Sequence, residues 1–318
     1  MKKVLLASTA LVMSAGFAAA DVSVGGDGRM GIIGGGSDDT ATTAVDETDL
    51  GFTSRIRISF SASGETDAGL AFGGSVRVDN YESDQATNGL EGSVFVEGTF
   101  GKISMGDVSG APEAAVGDLS GVGLTGLGDI NELVFLSNSN RPAARWDYVT
   151  GDLGLHVSAD NPATGVDAYG VAVTYSAGSL SFGLGYESAD IPTGAELLGV
   201  TTTDDIEADH IVGSVTAAFG DATVKVAYGS ADLDLDAGGS LDFEQMGISL
   251  DYVVGATTLT AFYVDYELED AGGTIGEADA FGIGAAYDLG GGASIKGGVV
   301  DIDGEDDARY DLGISMSF

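Results

Sequence analysis

Along most of the chain, bulky apolar residues alternate with small or polar ones at a period of two. In Leu180-Ser181-Phe182-Gly183-Leu184-Gly185-Tyr186 the even positions are large and apolar and the odd ones are Ser or Gly. The same phase recurs in Tyr169, Val171, Val173, Tyr175; in Val224, Val226, Tyr228; in Thr260, Phe262, Val264, Tyr266; in Phe281, Ile283, Ala285, Tyr287; and in Tyr310, Leu312, Ile314, Met316, Phe318. Successive strand side chains point to opposite faces, so each run predicts a strand with one greasy face and one small or polar face. The pattern predicts 16 strands, near 22–33, 51–63, 70–80, 91–100, 102–107, 143–150, 153–160, 167–176, 179–188, 207–219, 222–232, 241–254, 257–268, 278–288, 293–302 and 308–318.

The links between these strands alternate in length. Seven are tight, such as Gly220-Asp221, Gly255-Ala256 and Gly290-Gly291-Gly292; eight are usually longer and mostly acidic, such as 34–50 and 189–206. Short turns on one side and long loops on the other predict an all-β fold, a transmembrane up-and-down barrel. A soluble sandwich also alternates, but it packs two bulky inner faces together, and so many strands with Gly, Ser, Asp and Arg on one face leave little for a single soluble core to hold. A barrel in lipid turns the bulky face outward and the polar face to water. Tyr175, Phe219 and Tyr287 toward the short turns, and Tyr186 and Tyr266 toward the long loops, are expected in the interfacial aromatic girdles.

Residues 1–20 read as a cleaved signal peptide: Lys2 and Lys3, an apolar stretch from Val4 to Phe17, and a small-residue site at Ala18-Ala19-Ala20. Residues 21–318 form one barrel unit, exported beyond the inner membrane. No later segment is long and apolar enough for a helical span.

Composition then sharpens the picture. The chain carries 50 Asp and Glu against 12 Lys and Arg, a formal charge of −38, yet 44% of its residues are hydrophobic. A stripe of cations for phosphate binding is lacking, so nucleic acid is excluded as a partner. Cys is absent and Gly numbers 52, which excludes a disulfide scaffold and a thiolate metal site. Enzymatic chemistry has little to draw on: the two histidines, His156 and His210, are expected as ordinary solvated residues where strands meet long outer loops, and neither G-x-S-x-G nor H-E-x-x-H occurs. The chain is read as no enzyme. The acidic excess predicts a cation preference, because a negative lumen and mouth concentrate cations.

With those features in place, the sequence resembles the general diffusion porins of Gram-negative outer membranes, of the trimeric Rhodobacter type. The matching stretches are Gly26-Asp27-Gly28-Arg29-Met30-Gly31, Ser54-Arg55-Ile56-Arg57-Ile58, Gly98-Thr99-Phe100-Gly101-Lys102-Ile103-Ser104-Met105-Gly106-Asp107, Tyr287-Asp288-Leu289-Gly290-Gly291-Gly292-Ala293-Ser294 and the terminal Phe318. They occur in family order at family spacing. The resemblance implies a 16-stranded antiparallel barrel in the outer membrane, a homotrimer among outer-membrane lipids, and a water-filled channel for small hydrophilic solutes and ions. It also implies a third loop folded into the lumen, which maps to about Val108–Pro142 and is rich in Gly and Leu near Gly121–Gly128. The alternative from another class is a soluble exported all-β adhesin or surface-layer protein.

Strand phase puts Arg29, Arg55, Arg57 and Arg77 on the polar face. Given an infolded loop, they are expected to form a basic wall of the pore facing the loop carboxylates Asp107, Glu113, Asp118, Asp129 and Glu132, with pairing to barrel carboxylates as the plainer reading. Family loops can bind calcium, and the runs Asp232–Asp236 and Asp301–Asp306 resemble fragments of calcium loops; a structural Ca²⁺ is left open, with no ligands named and no other cofactor expected. Phe318 closes an amphipathic strand, and the resemblance marks it as the assembly signal read by the barrel-insertion machinery.

Overall fold

The structure is a computed structural model and describes residues 21–36, 50–80, 92–137, 142–163, 166–194, 196–197 and 200–318. The proposed leader, 1–20, lies outside the described residues. The chain runs through β1 (Asp21–Gly36), β2 (Gly51–Glu65), β3 (Ala71–Asp79), β4 (Gly92–Gly98), β5 (Gly101–Gly106), α1 (Ala111–Val116), β6 (Ala143–Thr150), β7 (Leu153–Ala159), β8 (Asp167–Ala177) and β9 (Leu180–Ile191). It continues through β10 (Glu196–Leu197), β11 (Val200–Thr201), β12 (Ile206–Phe219), β13 (Ala222–Leu235), β14 (Ser240–Val254), β15 (Thr257–Asp270), β16 (Gly273–Gly290), β17 (Ala293–Ile302) and β18 (Asp307–Ser317).

Sixteen of these strands close into one antiparallel barrel in which each pairs with its sequence neighbours; β10 and β11 form a separate ribbon, so β9 pairs directly with β12. The ring closes where β1 pairs with β18, and Gly26 exchanges two backbone hydrogen bonds with Phe318, of 2.7 and 3.0 Å. A closed sheet has no edge, so its backbone donors and acceptors are satisfied within the wall, as hydrocarbon requires.

The wall is apolar on its outside. Phe52, Val94, Leu184, Ile211 and Ile283 are all exposed, Phe52 to 95%, on the faces pointing away from the barrel axis. That inverts a soluble protein and fits a lipid-facing band. Near the long links the alternation changes character. β13 runs on to Leu235 and β16 starts at Gly273, past the expected ends at 232 and 278. Out there the outward positions carry carboxylates set directly opposite one another, Asp209 to Asp232, Asp232 to Asp242, Glu244 to Glu267 and Glu267 to Glu277. Above the apolar band the outer face meets water while inward Ala208, Ala231, Leu233 and Phe243 are buried against Leu136 of the infolded loop, so the period of two persists with its apolar phase turned inward. Tyr186 stands at this boundary and donates to Asp209 Oδ1 at 2.6 Å.

On β15 the expected phase is inverted. Phe262 and Val264 are buried inside the barrel, whereas Leu259 on the opposite parity is exposed outside; Tyr263 pairs across with the outward Ile248. Tyr266 correspondingly leaves the girdle, turns inward and stacks on Phe243 at 6.2 Å. Alternation alone identifies two faces without saying which one lipid touches. On β15 both faces are bulky because the inner one packs against protein.

Candidate functional site

The link after β5 folds into the barrel. Its outgoing arm, from Val108 to Thr125, begins with α1. Pro112 sits in the first turn of this helix, where its missing N–H costs nothing, and Gly117 at φ 63° ends it. The arm then follows the inner wall from β7 round to β1, and the returning arm, from Ile130 to Ser137, lies beside it toward the long-link side. Leu119 N donates to Asn131 O at 3.1 Å, Asn131 Nδ2 to Leu119 O at 2.8 Å and Leu133 N to Asp118 Oδ1 at 2.9 Å, which ties the two arms together.

Apolar contact seats the loop. Val116, Leu119, Val122, Leu127 and Leu133 pack against Val212, Ala227, Phe262, Val264, Ala280 and Val300 of the inner wall. This explains the Leu in a link that would otherwise lie in water. Small wall residues let the loop backbone close in: a methyl group at Gly185 would sit 2.6 Å from Pro112 Cβ, and one at Gly298 would sit 2.6 Å from Gly123 N. Gly123 itself, at φ 84°, would place a Cβ 2.5 Å from Asp311 Oδ1. The inward glycines expected to line water therefore line the seat of the loop on this side.

Polar wall side chains satisfy the loop backbone, as burial demands. Lys225 Nζ donates to Val116 O at 2.5 Å and Asp118 O at 2.8 Å. Arg145 Nη1 reaches Ser109 O at 2.9 Å, Arg29 Nη1 reaches Thr125 O at 3.1 Å, and Arg309 Nη1 reaches Leu127 O at 3.4 Å. Asp311 accepts from Leu124 N, Thr125 N and Thr125 Oγ1, between 2.6 and 2.8 Å. Higher on the wall, Glu187, His210 and Gln245 hold the returning arm. His210 is 1% exposed, which corrects its reading as a solvated residue: the infolded loop covers it, with Phe135 edge-on at 6.3 Å. His156 is also inside, with Nδ1 2.7 Å from Asp147 Oδ1.

Of the expected basic wall, Arg29, Arg55 and Arg57 are neighbours, Arg29 lying directly across from Arg55. Arg57 Nε is 3.2 Å from Asp27 and 3.8 Å from Asp79, and Arg55 is 3.9 Å from Asp27. These are pairs with barrel carboxylates, the plainer reading. Arg77 faces inward and is exposed, opposite Ser59. The expected acidic loop residues fall apart into two sets. Asp107 stays at the end of β5, where its N donates to Gly92 O at 2.9 Å. Glu113, Asp118, Asp129 and Glu132 come together, and burial first, then Asp118, Asp129 and Glu113, raises the Glu132 carboxyl above the usual carboxylate range.

Lys225, Arg145, Arg309, Asp311, Glu187 and Gln245 were missed as site residues. Parity marks each as inward; nothing local reveals that its partner is a loop backbone up to 187 residues away in sequence. As for calcium, no three His, Asp or Glu residues converge as metal ligands among the described residues, and Asp232 and Asp234 point outward at alternate positions of β13, on either side of the inward Leu233.

On the inside of β2 and β3, by contrast, Ser61, Ser75 and Arg77 face the barrel interior and yet remain exposed. The infolded loop leaves these inward side chains of β2 and β3 uncovered. Comparison with known proteins agrees with the barrel fold. Residues 7–307 match the family model described as Gram-negative porin. A porin from Rhodobacter capsulatus is 34% identical over 326 residues, covering 94% of this chain and 100% of the relative. A solved porin structure refined at 1.8 Å superposes with a TM-score of 0.77 at 34% identity, covering 93% of this chain and 100% of that one. The trimer form of OmpT from Vibrio cholerae shares the fold at a TM-score of 0.74 and 17% identity, covering 94% and 99%. With a closed lipid-facing barrel, a loop folded into its lumen and these relatives along nearly its whole length, the chain belongs to the Gram-negative porin family, as an outer-membrane channel.

Proposed function

We propose that the passage between the inner faces of β2–β3 and the infolded loop carries small hydrophilic solutes and ions by passive diffusion, with a preference for cations. The exposure of inward-facing Ser61, Ser75 and Arg77 supports a water-filled path. Arg29, Arg55, Arg57 and Arg77 on one side and Glu113, Asp118, Asp129 and Glu132 on the other set a transverse field that orients polar solutes and disfavours apolar ones. The cation preference arises at the mouth. All nine cations among the described residues after the leader, Arg29 to Arg309, have inward parity, and many carboxylates lie on the outer rim instead, so the formal charge of −38 overstates the negative charge of the constriction.

The protein works as a homotrimer; OmpT of Vibrio cholerae has been solved in a trimer form. β5, bounded on both sides by described residues, has six residues. Six residues reach about 20 Å, short of the apolar band of about 25 Å, so copies meeting there would cover a low stretch of wall that lipid fits poorly. Phe318, exposed at the closure of the barrel, serves as the insertion signal. Reconstitution in planar bilayers tests the reading. Stepwise conductance with a zero-current potential of cation-selective sign is expected; a soluble monomer without conductance would overturn the pore, and clear anion selectivity would overturn the preference.

A further inference from the structure

Both arms of the loop rest on apolar seats, the returning arm through Leu133 and through Leu136 against Ala168, Ala189 and Ala208, and the returning arm in addition meets three polar wall residues in a row. Gln245 accepts from Val134 N at 2.8 Å through its amide oxygen and donates to Val134 O at 2.8 Å through its amide nitrogen. The same nitrogen lies 3.1 Å from His210 Nε2. His210 Nδ1 lies 2.8 Å from Glu187 Oε1. The Glu187 carboxylate accepts from Leu136 N at 2.7 Å and from Ser137 N and Oγ at 3.0 and 2.5 Å. Glu187, His210 and Gln245 are at most 1% exposed.

Donor counting fixes the direction of the chain of bonds. The two amide hydrogens of Gln245 go to Val134 O and His210 Nε2, so Nε2 accepts and Nδ1 carries the proton donated to Glu187. Turning the amide over would set donor against donor at Val134. The row is complete in one arrangement, and that arrangement fixes the backbone from Val134 to Ser137. A buried network with every member satisfied specifies one geometry, and removing one partner leaves the others buried and unpaired.

We propose that Glu187, His210 and Gln245 are positioning residues for permeation: they pin the returning arm to the wall and thereby set the clearance on the long-link side of the constriction. This rests on the reading of the lumen as the solute path. With the row broken, only the packing of Val134 and Leu136 holds this segment, its backbone orientation is no longer fixed, and the space it can shift into is the passage itself.

The experiment compares the full-length parent, Glu187→Gln, Gln245→Met and, as a control on the lipid face, Trp146→Phe, which loses its 2.8 Å bond to Phe100 O. Each is reconstituted in planar bilayers and, separately, in liposomes challenged with sugars of increasing size. Both clamp variants are expected to show roughly twofold higher open-channel current noise, a lower mean conductance and a steeper fall of permeation with sugar size, because the narrowest section governs flux. Trp146→Phe should show none of these. Parent-like noise, conductance and sugar dependence in clamp variants that assemble would overturn the proposal. So would failure of both clamp variants to assemble, since the row would then hold the wall and not the arm. A parent that does not conduct would refute the pore reading itself, a result distinct from either.

Discussion

The two halves of the inner wall are made from the same kind of strand and do opposite things. From β12 to β17 the inner face is sealed: Val212, Val264 and Val300 have no measurable exposure and lie against Leu and Val of the infolded loop. On β2 and β3 the inner face is wet, with Ser61, Ser75 and Arg77 exposed and Arg55 and Arg57 paired to Asp27 and Asp79. One half is a protein core with lipid on its far side; the other is the bank of the channel in the function proposed above. The difference teaches that period-two patterning in a barrel reports the presence of two faces and leaves open whether the inner one meets water or protein. Glycine shows the same ambiguity. At 185 and 298 it makes room for a loop backbone, while serine suffices on the open bank.

The sharpest break of the comparison is a deletion in the sealed half. Phe262→Ala, at a position 2% exposed, should cost roughly 3–5 kcal/mol, as large-to-small changes in packed cores do. Phe281→Ala on the lipid face should cost far less, because no protein cavity forms; chemical unfolding of the two variants in lipid compares them. Next comes overpacking. Gly185→Val drives a side chain into Pro112 and should cost about 1–3 kcal/mol, while Ser61→Val on the open bank should leave the midpoint near that of the parent and lower conductance instead. Equal losses at the two positions would mean that the halves do not differ.

A change confined to the open bank should spare stability and move selectivity. Replacing Arg55 and Arg57 together by Ser should raise the cation-to-anion permeability ratio by roughly twofold, since positive potential is removed from a narrow aqueous section. Unchanged zero-current potentials would sink the basic wall. The smallest effect concerns pH. Glu132 has a raised pKa, so as pH falls it becomes neutral before an ordinary carboxylate does. Its neutral form is the one favoured in the folded loop; that contribution to stability is present at low pH and is lost as pH rises through its pKa. The parent should lose cation preference on acidification at a higher pH than Glu132→Gln, in which this step is missing, as zero-current potentials measured against pH would show.

Much of the architecture was legible before any coordinates. The alternation in Leu180–Tyr186 and Tyr310–Phe318, with tight links on one side and long ones on the other, marks a closed sheet, because lipid tolerates no unpaired backbone and strand geometry has a fixed period of two. The inward parity of Arg29, Arg55, Arg57 and Arg77 follows from the same period. Beyond the apolar band the reading faltered, at 273–277 and 233–235, since the outward positions there carry carboxylates and, at Leu233 and Leu235, the apolar side chains turn inward against other residues of the wall and loop.

Other features were decided by tertiary structure. Whether Phe262 or Tyr263 faced lipid depended on a loop more than 120 residues earlier settling against β15. Whether His210 met solvent depended on Phe135 covering it. The partners of Lys225 and Asp311 are backbone groups, which carry no sequence signature at all. Period and composition are local properties of a strand and can be read from the chain. The position of an infolded loop is a sum of apolar contacts and backbone hydrogen bonds across the whole barrel, and those exist only once the ring has closed.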